Sequence, residues 1–314
     1  MKYVGDIVTY SVRPDSRNES YNSTTGISQD DVLRYTNYGQ ERLQSLILAT
    51  SPGSFQSEVI IPLVANQESY AIPDRLYAGE RIVNVEYSPT GQVRDYYTIR
   101  ERGISYRNTS AASFPSFFIR RSGYLLLNPI PSGANGSIRV TYERQLDTLA
   151  FRLATAGVVA GAVLNFSSEV TSFTYNLSNA QYVCVSDAYG NVMLYNGVVS
   201  SYIAGTSVTF AANVSTYLVT GYTTGNLAGG YLTTGKFTTT HSKLTDPCER
   251  YLEMYPVAKM FGRDDAVGSR KAILEELEAI ETDIVKTYQD PSKNDHEIQI
   301  SDSDMLINND RGGW

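Results

Sequence analysis

The chain contains few of the side chains that catalytic and metal-binding sites use. Its 314 residues include two cysteines, two histidines and one tryptophan. His241 and His296 have no partner at metal-ligand spacing, and Cys184 and Cys248 offer too few further ligands for a zinc site. Neither a G-x-S-x-G turn nor a Walker or dinucleotide-binding glycine pattern is present. We therefore predict no catalytic residue, no metal and no cofactor.

Long apolar runs and basic clusters are also missing. The longest apolar stretch, Ala154 to Leu164, is interrupted by Thr155, Gly157 and Gly161, whereas a membrane-spanning helix needs about 20 apolar residues. Met1 to Pro14 lacks the charged start and apolar core of a signal peptide. Because no basic cluster is visible either, we expect neither membrane association nor a dedicated DNA-binding face.

Charge itself is nearly absent from the middle of the chain. Between Leu153 and Gly235 the charged side chains are Glu169 and Asp187, while β-branched and aromatic residues recur throughout. This composition predicts an all-β domain, a small sandwich or barrel, inserted over residues 153–240. Its predicted strands are Phe173 to Leu177, Tyr182 to Val185, Val192 to Tyr195, Val208 to Phe210 and Tyr217 to Tyr222.

Helical signals frame this segment. Ser28 is a good N-cap with Asp31 at the reciprocal position, which predicts a helix that Pro52-Gly53 ends. Asp246-Pro247 predicts the start of a second helix, which Pro256 should kink and Gly262 should end. A third helix follows up to Asp290-Pro291. Val4 to Val12 fits a short helix or a strand equally well. The apolar stripes are Val32, Thr36, Gly39, Leu43, Leu46 and Ile47 in the first helix and Ile273, Leu277, Ile280, Ile284 and Tyr288 in the third.

Short strands occupy the region after the first helix. Alternating polar and apolar residues over Arg81 to Tyr87 predict a half-buried strand, and Ser122-Gly123 predicts a two-residue hairpin turn. The other predicted strands are Phe55 to Leu63, Ser69 to Ile72, Val93 to Arg100, Phe117 to Arg121, Tyr124 to Leu127 and Ile138 to Tyr142.

Tyrosine is the most unusual part of the composition, with 24 tyrosines against 10 phenylalanines. Tyrosine suits protein interfaces, and it equally suits half-exposed strands. The acidic tail after residue 290 has apolar residues and the only tryptophan, and its Ile298 and Ile300 alternate with polar residues as an added edge strand would. The candidate partner-interface residues are therefore Tyr175, Tyr182, Tyr217, Ile298, Ile300, Leu306 and Trp314.

The order of these elements resembles the head-to-tail adaptor (connector or ring) family of short-tailed phages. The resemblance covers residues 28–150 and 245–288, and the insert, Pro256 and the acidic tail depart from it. It is carried by Ser28–Leu43 as the first core helix, Glu68–Pro73 with Arg81–Val85 as a strand pair, Phe117–Pro131 as a hairpin ending in Pro-x-Pro, and Leu252–Tyr288 as the closing helix pair.

The resemblance implies a structural virion protein, located in the neck and tail and assembled in the host cytoplasm. Its copies would form a ring, a dodecamer by family expectation, beneath the portal protein. The ring would be a DNA conduit and a docking platform for tail nozzle or fibre proteins, with DNA only as passing cargo. The C-terminal segment of such adaptors commonly reaches the portal.

The predicted fold class is α+β, with a helical adaptor body, a strand-rich core and the inserted β-domain. The predicted boundaries are 1–152 and 241–289 for the body, 153–240 for the insert and 290–314 for an extended tail. Two other functions remain open. The uncharged, tyrosine-rich insert would suit a carbohydrate-binding or adhesin-type tail protein. A polysaccharide hydrolase would need a carboxylate pair, whose members can lie far apart in the chain; the insert supplies Glu169 and Asp187, and their neighbours do not favour them for this role.

Overall fold

The computed structural model of the protein describes residues 3–11, 28–72, 75–76, 82–108, 110–112, 114–133, 136–170, 177–244, 246–261 and 267–289. The chain forms two compact units, Gly53–Asp147 and the combination of Met1–Pro52 with Thr148–Trp314. We refer to them as the two-sheet unit and the barrel–helix unit.

The two-sheet unit is built from short, mostly antiparallel strands. One sheet has the order β1-β10-β3-β4, a second has the order β2-β8-β7-β5, and β6 pairs with β9. The strands are β1 (Gln56–Pro62), β2 (Ser69–Ala71), β3 (Ile82–Ser88), β4 (Tyr97–Thr98), β5 (Arg100–Glu101), β6 (Ala111–Ala112), β7 (Phe117–Arg121), β8 (Tyr124–Asn128), β9 (Ile130–Pro131) and β10 (Ser137–Glu143).

One apolar core joins the two larger sheets of this unit. Val85, Ile138 and Val140 of the first sheet pack with Leu125 and Leu127 of the second. The predicted hairpin is present, because Ser122 and Gly123 adopt φ angles of +47° and +82° and connect β7 to β8. A two-residue turn with both φ angles positive follows the natural twist of the two strands.

The predicted strand over Val93 to Arg100 is wrong. Val93–Asp95 form a turn of 3-10 helix, and only the two-residue strands β4 and β5 follow. Side-chain hydrogen bonds satisfy the local backbone there: Gly91 N–H donates to Ser88 Oγ at 2.8 Å, and Gln92 N–H donates to Thr90 Oγ1 at 3.2 Å. Such local bonds compete with the hydrogen bonds of a strand ladder.

The barrel–helix unit combines a closed six-stranded barrel with four α-helices. The barrel order is β12-β13-β16-β15-β14-β17, and β11 pairs with β18 outside it. The elements are α1 (Val4–Ser11), α2 (Gln29–Thr50), β11 (Thr148–Leu149), β12 (Ala154–Ala160), β13 (Val163–Glu169), β14 (Tyr182–Ser186), β15 (Val192–Ile203), β16 (Ser207–Phe210), β17 (Tyr231–Thr234), β18 (Thr238–Thr239), α3 (Asp246–Phe261) and α4 (Val267–Tyr288).

The barrel has its own apolar core, which includes Leu164, Val183, Leu194, Val208 and Leu232. Three barrel strands, β12, β13 and β17, are absent from the sequence prediction. The predicted strand Tyr217 to Tyr222 is wrong, because Val214–Tyr217 form a 3-10 turn and a single bridge joins Leu218 to Leu194. Most of the predicted strand Phe173 to Leu177 lies outside the described residues.

The helix predictions are largely confirmed. Ser28 Oγ accepts a hydrogen bond from Asp31 N–H at 3.1 Å, and Ser28 N–H donates to Asp31 Oδ2 at 3.2 Å, which completes the capping box. Val4 to Val12, for which helix and strand fitted equally, gives the helix α1 over Val4–Ser11. Helix α3 continues through Pro256. Most of the predicted α2 stripe is buried, namely Val32, Thr36, Gly39, Leu43 and Ile47.

The mixed fold class and the barrel are therefore confirmed. Strands outnumber the four α-helices among the described residues, so the helical character of the adaptor body remains a prediction. The boundaries of the inserted domain and of the tail also remain predictions.

Candidate interaction surfaces of the barrel and the helices

Two short strands connect the barrel to the helices. β11 and β18 pair in parallel, with Thr148 opposite Thr238 and Leu149 opposite Thr239, so the chain enters and leaves the barrel at adjacent positions. Asn37 of α2 holds this stem from the side. Its Nδ2 donates to the Leu149 carbonyl oxygen at 3.0 Å, and Leu149 N–H donates to Asn37 Oδ1 at 2.8 Å. A groove of about 420 Å³ opens beside this contact and is lined by Leu33, Tyr38, Leu149, Phe151 and polar neighbours.

His241 lies in the polar interior of the stem. Its Nδ1 is 2.9 Å from Thr240 Oγ1, and its ring stacks on Tyr231 of β17 with centroids 6.2 Å apart. The Tyr3 ring packs on it from the helical side, with centroids 5.4 Å apart. Burial lowers the pKa of the imidazole below its ordinary value, although the Asp187 and Asp6 carboxylates oppose this effect. The neutral ring therefore packs between barrel and helix, in a structural position.

The turn that follows β14 packs against this histidine. Gly190 has a φ of +78°, and a Cβ atom at this position would lie 2.5 Å from His241 Cβ, so only glycine fits. Asp187 shapes the same turn. Its Oδ1 accepts hydrogen bonds from the backbone N–H groups of Tyr189 and Asn191, both at 2.8 Å, and its Oδ2 accepts from Asn191 Nδ2 at 2.9 Å.

Glu169 has a similar local role on another loop. Its carboxylate accepts hydrogen bonds from the Tyr202 hydroxyl and from the Gly205 backbone N–H. Burial and this carboxylate raise the pKa of the Tyr202 hydroxyl to about 12. The two carboxylates considered as a hydrolase pair are thus each bound to a separate loop of the barrel, and this arrangement offers no support for a shared reaction.

The predicted interface tyrosines have mixed surroundings. Tyr182 is half-buried on β14, with Lys236 Nζ 4.7 Å from its ring centroid. Tyr217 packs on Phe210 at a centroid distance of 5.8 Å and contributes to the barrel core. Neither is among the strongly exposed side chains. Tyr175, Ile298, Ile300, Leu306 and Trp314 lie outside the described residues.

The most exposed large apolar side chains of the described barrel are ones that the sequence analysis missed. Tyr189 is 74% exposed at the turn after β14, and Val158 is 72% exposed on β12. Ile203 at the end of β15 is also exposed. The turn sequence Asp-Ala-Tyr-Gly around Tyr189 could have predicted an exposed aromatic side chain, because a residue at the tip of a tight turn cannot reach the core of its domain.

A polar junction joins three helices of the barrel–helix unit. Glu281 of α4 accepts a bidentate pair from Arg42 of α2, at 2.7 and 3.0 Å, and a hydrogen bond from the Tyr251 hydroxyl of α3 at 2.7 Å. Burial tends to raise the pKa of Glu281, but the hydrogen bonds from Arg42 and Tyr251 outweigh it and lower the pKa. Burial and the carboxylate raise the pKa of the Tyr251 hydroxyl.

The described residues give two further negative findings. They contain no group of three or more histidine, cysteine, aspartate or glutamate side chains that could hold a metal ion. None of the described helices combines the length and the apolar composition that crossing a membrane would require. The structure thus presents surfaces, loops and grooves as its candidate sites.

Comparison with known proteins gives one family. The family model described as SU10 adaptor protein matches residues 2–162, which covers just over half of the chain. No curated protein matches the sequence. The matched range contains the whole two-sheet unit, α1, α2 and the first strand of the barrel.

Proposed function

Because this chain belongs to the SU10 adaptor protein family, we propose that it is a ring subunit between the portal and the tail of a phage particle. The members of this family are structural phage adaptors, so the protein is a structural adaptor of the virion. The family match is the observation that carries the proposal. The ring, the twelve copies implied by the resemblance, the portal contact and the DNA conduit are its proposed parts.

The charge distribution supports a conduit that does not bind its DNA. Residues 246–314 contain sixteen acidic and eight basic residues, and α4 carries exposed Glu275, Glu278 and Asp283. Lys271 and Lys286 form only loose ion pairs on this helix, at 3.8 and 3.5 Å. An acidic surface repels the DNA backbone, so a channel lined by such residues lets DNA pass without holding it.

We further propose that the barrel is the part that contacts tail components. The barrel is closed, so it has no free strand edge, and a partner would bind its side chains. Tyr189, Val158 and Ile203 provide exposed apolar area at separate positions. The chain enters and leaves the barrel through the β11–β18 pair, which supports the proposal that residues 153–240 are an insertion into the adaptor body.

Cryo-electron microscopy of purified virions tests the proposal. We expect this protein as a closed ring in contact with the portal, with cyclic symmetry and a copy number equal to that of the portal. A different stoichiometry, or a position away from the neck, would contradict the ring proposal. A monomeric state of the free protein would agree with it if the portal serves as the template for assembly.

A further inference from the structure

The two-sheet unit has an open strand edge at β1. β1 pairs with β10 on one side, and no other strand among the described residues pairs with its second side. Arg144 N–H donates to the Phe55 carbonyl oxygen, and Leu63 N–H donates to the Gly136 carbonyl oxygen, both at 2.9 Å. Since strand residues alternate in direction, the odd-numbered residues of β1 bond to β10, and the N–H and C=O groups of Glu58 and Ile60 point to the open side.

An apolar cleft lies along the same edge. It has a volume of about 430 Å³ and runs between β1 and β2, the outer strands of the two sheets. Half-buried Val59, Ile61 and Ile72 line it, together with buried Tyr70. Beside it, Ile60 is 58% exposed on the outer face of β1. The core of this unit is therefore incompletely covered between β1 and β2.

The cleft and the edge together define the chemistry of an occupant. It must be extended, so that its backbone bonds to Glu58 and Ile60, and it must place an apolar side chain at every second position to fill the cleft. Long strand edges left open in this way favour pairing with another chain. A charged or helical partner would satisfy only one of the two requirements.

One long segment of this chain outside the described residues has that pattern. In the tail, Ile298 and Ile300 alternate with Gln299 and Ser301, and acidic residues flank the group on both sides. The other long segment, residues 12–27, has no such alternation. The charge balance does not oppose this pairing, because residues 53–147 contain ten arginines and nine acidic residues, a balance of +1, whereas residues 290–314 contain six acidic and two basic residues, a balance of −4.

We propose that residues 297–302 of one copy add as a strand to β1 of a neighbouring copy, with Ile298 and Ile300 in the cleft. The placement of the strand on a neighbouring copy rests on the proposed ring. The cleft and the open edge do not depend on it. After α4 ends at Tyr288, residues 289–297 span up to about 30 Å when extended, so residues 297–302 can lie well away from the end of this helix. Such a strand would link successive subunits around the ring.

Cysteine cross-linking in virions tests this placement. If Ile298 and Ile300 face the cleft, Gln299 faces outward beside Ile60, because directly paired residues share one face of a sheet. We therefore expect Ile60→Cys with Gln299→Cys to give covalent dimers and higher multimers with a short bismaleimide linker. The matched control is Thr98→Cys with Gln299→Cys. Thr98 is exposed in the same row of the sheet at its opposite edge, through the pairs Ile60–Arg139, Arg139–Glu86 and Glu86–Thr98. Cys184 and Cys248 are buried and should give little background.

Multimers at least several-fold above the control would support the inference. A yield equal to the control, a cross-link confined to single chains, or a cross-link to the portal instead would overturn it. Cryo-electron microscopy of the same particles distinguishes a failure of the strand addition from a failure of the proposed function. A ring without the cross-link would contradict the strand addition alone, and particles without a ring would contradict the proposed function.

A proline variant tests the backbone pairing itself. Ile60→Pro removes an N–H group that points to the open side and leaves the bonds between β1 and β10 intact. With Glu58→Cys and Gln299→Cys as the reporter pair, we expect Ile60→Pro to lower the cross-link yield about tenfold, and Ile60→Val to leave it unchanged. An unchanged yield with proline would overturn strand addition. A yield that depends on the apolar side chains but not on the backbone N–H group would indicate a different mode of docking.

Discussion

Glu169 and Asp187 show how single polar residues are used in the barrel. Each carboxylate accepts hydrogen bonds from the loop that it belongs to or faces, and Asp187 accepts three. In a segment with no other charge, these bonds replace the ion pairs that other surfaces use. The role is structural, since an acceptor bound to backbone N–H groups fixes the turn around it.

Asp187→Ala should therefore destabilise the barrel. The substitution leaves the N–H groups of Tyr189 and Asn191 without their acceptor, and we expect a loss of about 1–3 kcal/mol in the free energy of unfolding. Urea denaturation followed by far-ultraviolet circular dichroism measures this loss of stability. Ser200→Ala, at an exposed position of β15, is a control that should change stability by less than about 0.5 kcal/mol. Equal stability of wild type and Asp187→Ala would show that the turn does not depend on this carboxylate.

His241 should make folding stability depend on pH near neutrality. Its pKa is lower in the folded chain than the ordinary value of about 6.5, so the unfolded chain binds more protons between these two pKa values. The contribution of neutral His241 to folding stability should be complete above about pH 6.5 and should decrease as the pH falls below that value. In His241→Gln this part of the slope should disappear, and thermal unfolding between pH 5 and 7.5 compares the two. Identical slopes would contradict the buried, neutral state of the ring.

At the level of elements, Glu281 ties α4 to α2 and α3. The Arg42 and Tyr251 side chains converge on one carboxylate, and Gly39 lets α2 approach α3, since a Cβ there would lie 3.1 Å from Tyr255 Cδ1. Because the pKa of Glu281 is lowered on folding, its contribution is present above the ordinary carboxyl pKa and is lost as the pH falls through the folded value. Arg250 of α3 also pairs with Glu276 of α4, so polar contacts hold these helices together in addition to apolar packing.

Tyr251→Phe tests this junction with a minimal change. The side chain is fully buried, and removing its hydroxyl deletes the bond to Glu281 while the ring keeps its place. We expect a loss of about 1–2 kcal/mol in the free energy of unfolding, measured by thermal or urea denaturation. The control is Tyr38→Phe on α2, where the ring is about half exposed, and its effect should stay within about 0.5 kcal/mol. A larger effect at Tyr38 than at Tyr251 would contradict the assigned contact.

On the scale of the whole molecule, the barrel interrupts a chain that otherwise continues from β11 to β18. Leu149 and Phe151 pack with Val4, Val32 and Val257 of the helices, so the core on the helical side of the stem does not consist of barrel residues. His241 and the threonine hydroxyls of the stem, Thr238 to Thr240, would lose their barrel contacts if the barrel were removed.

Replacing residues 153–236 with a short Gly/Ser linker should therefore leave a folded protein. We expect the helical circular dichroism signal to persist, with a moderate loss of stability from the uncovered stem. From the role proposed for the barrel, we also expect particles that lack a tail component. An insoluble protein, or one without helical signal, would show that the barrel belongs to the common core and that the boundaries 153–240 are wrong.

Local signals were sufficient for several elements. The Ser28 and Asp31 capping box, the apolar stripe of α2 and the Ser122-Gly123 hairpin depend on residues within one or two turns of each other, so the sequence alone predicts them. The low charge of residues 153–235 likewise predicted an all-β region, because such a composition can be buried on two sides of a strand.

Long-range contacts decided the rest. β12 is dominated by alanine, glycine and valine, and β13 and β17 show no clear alternation of polar and apolar residues. β12 also pairs with β17, and β13 with β16, which come from distant parts of the chain. Where a strand was predicted from Tyr217, Val214–Tyr217 form a 3-10 turn, and the Tyr217 ring packs on Phe210 of β16. Likewise, the positions of His241 between Tyr3 and Tyr231, and of Glu281 between Arg42 and Tyr251, join residues far apart in the chain. Composition and spacing determine which segments can form helices and strands, whereas the pairing of edges and the burial of single polar groups depend on the complete fold, because their partners come from distant parts of the sequence.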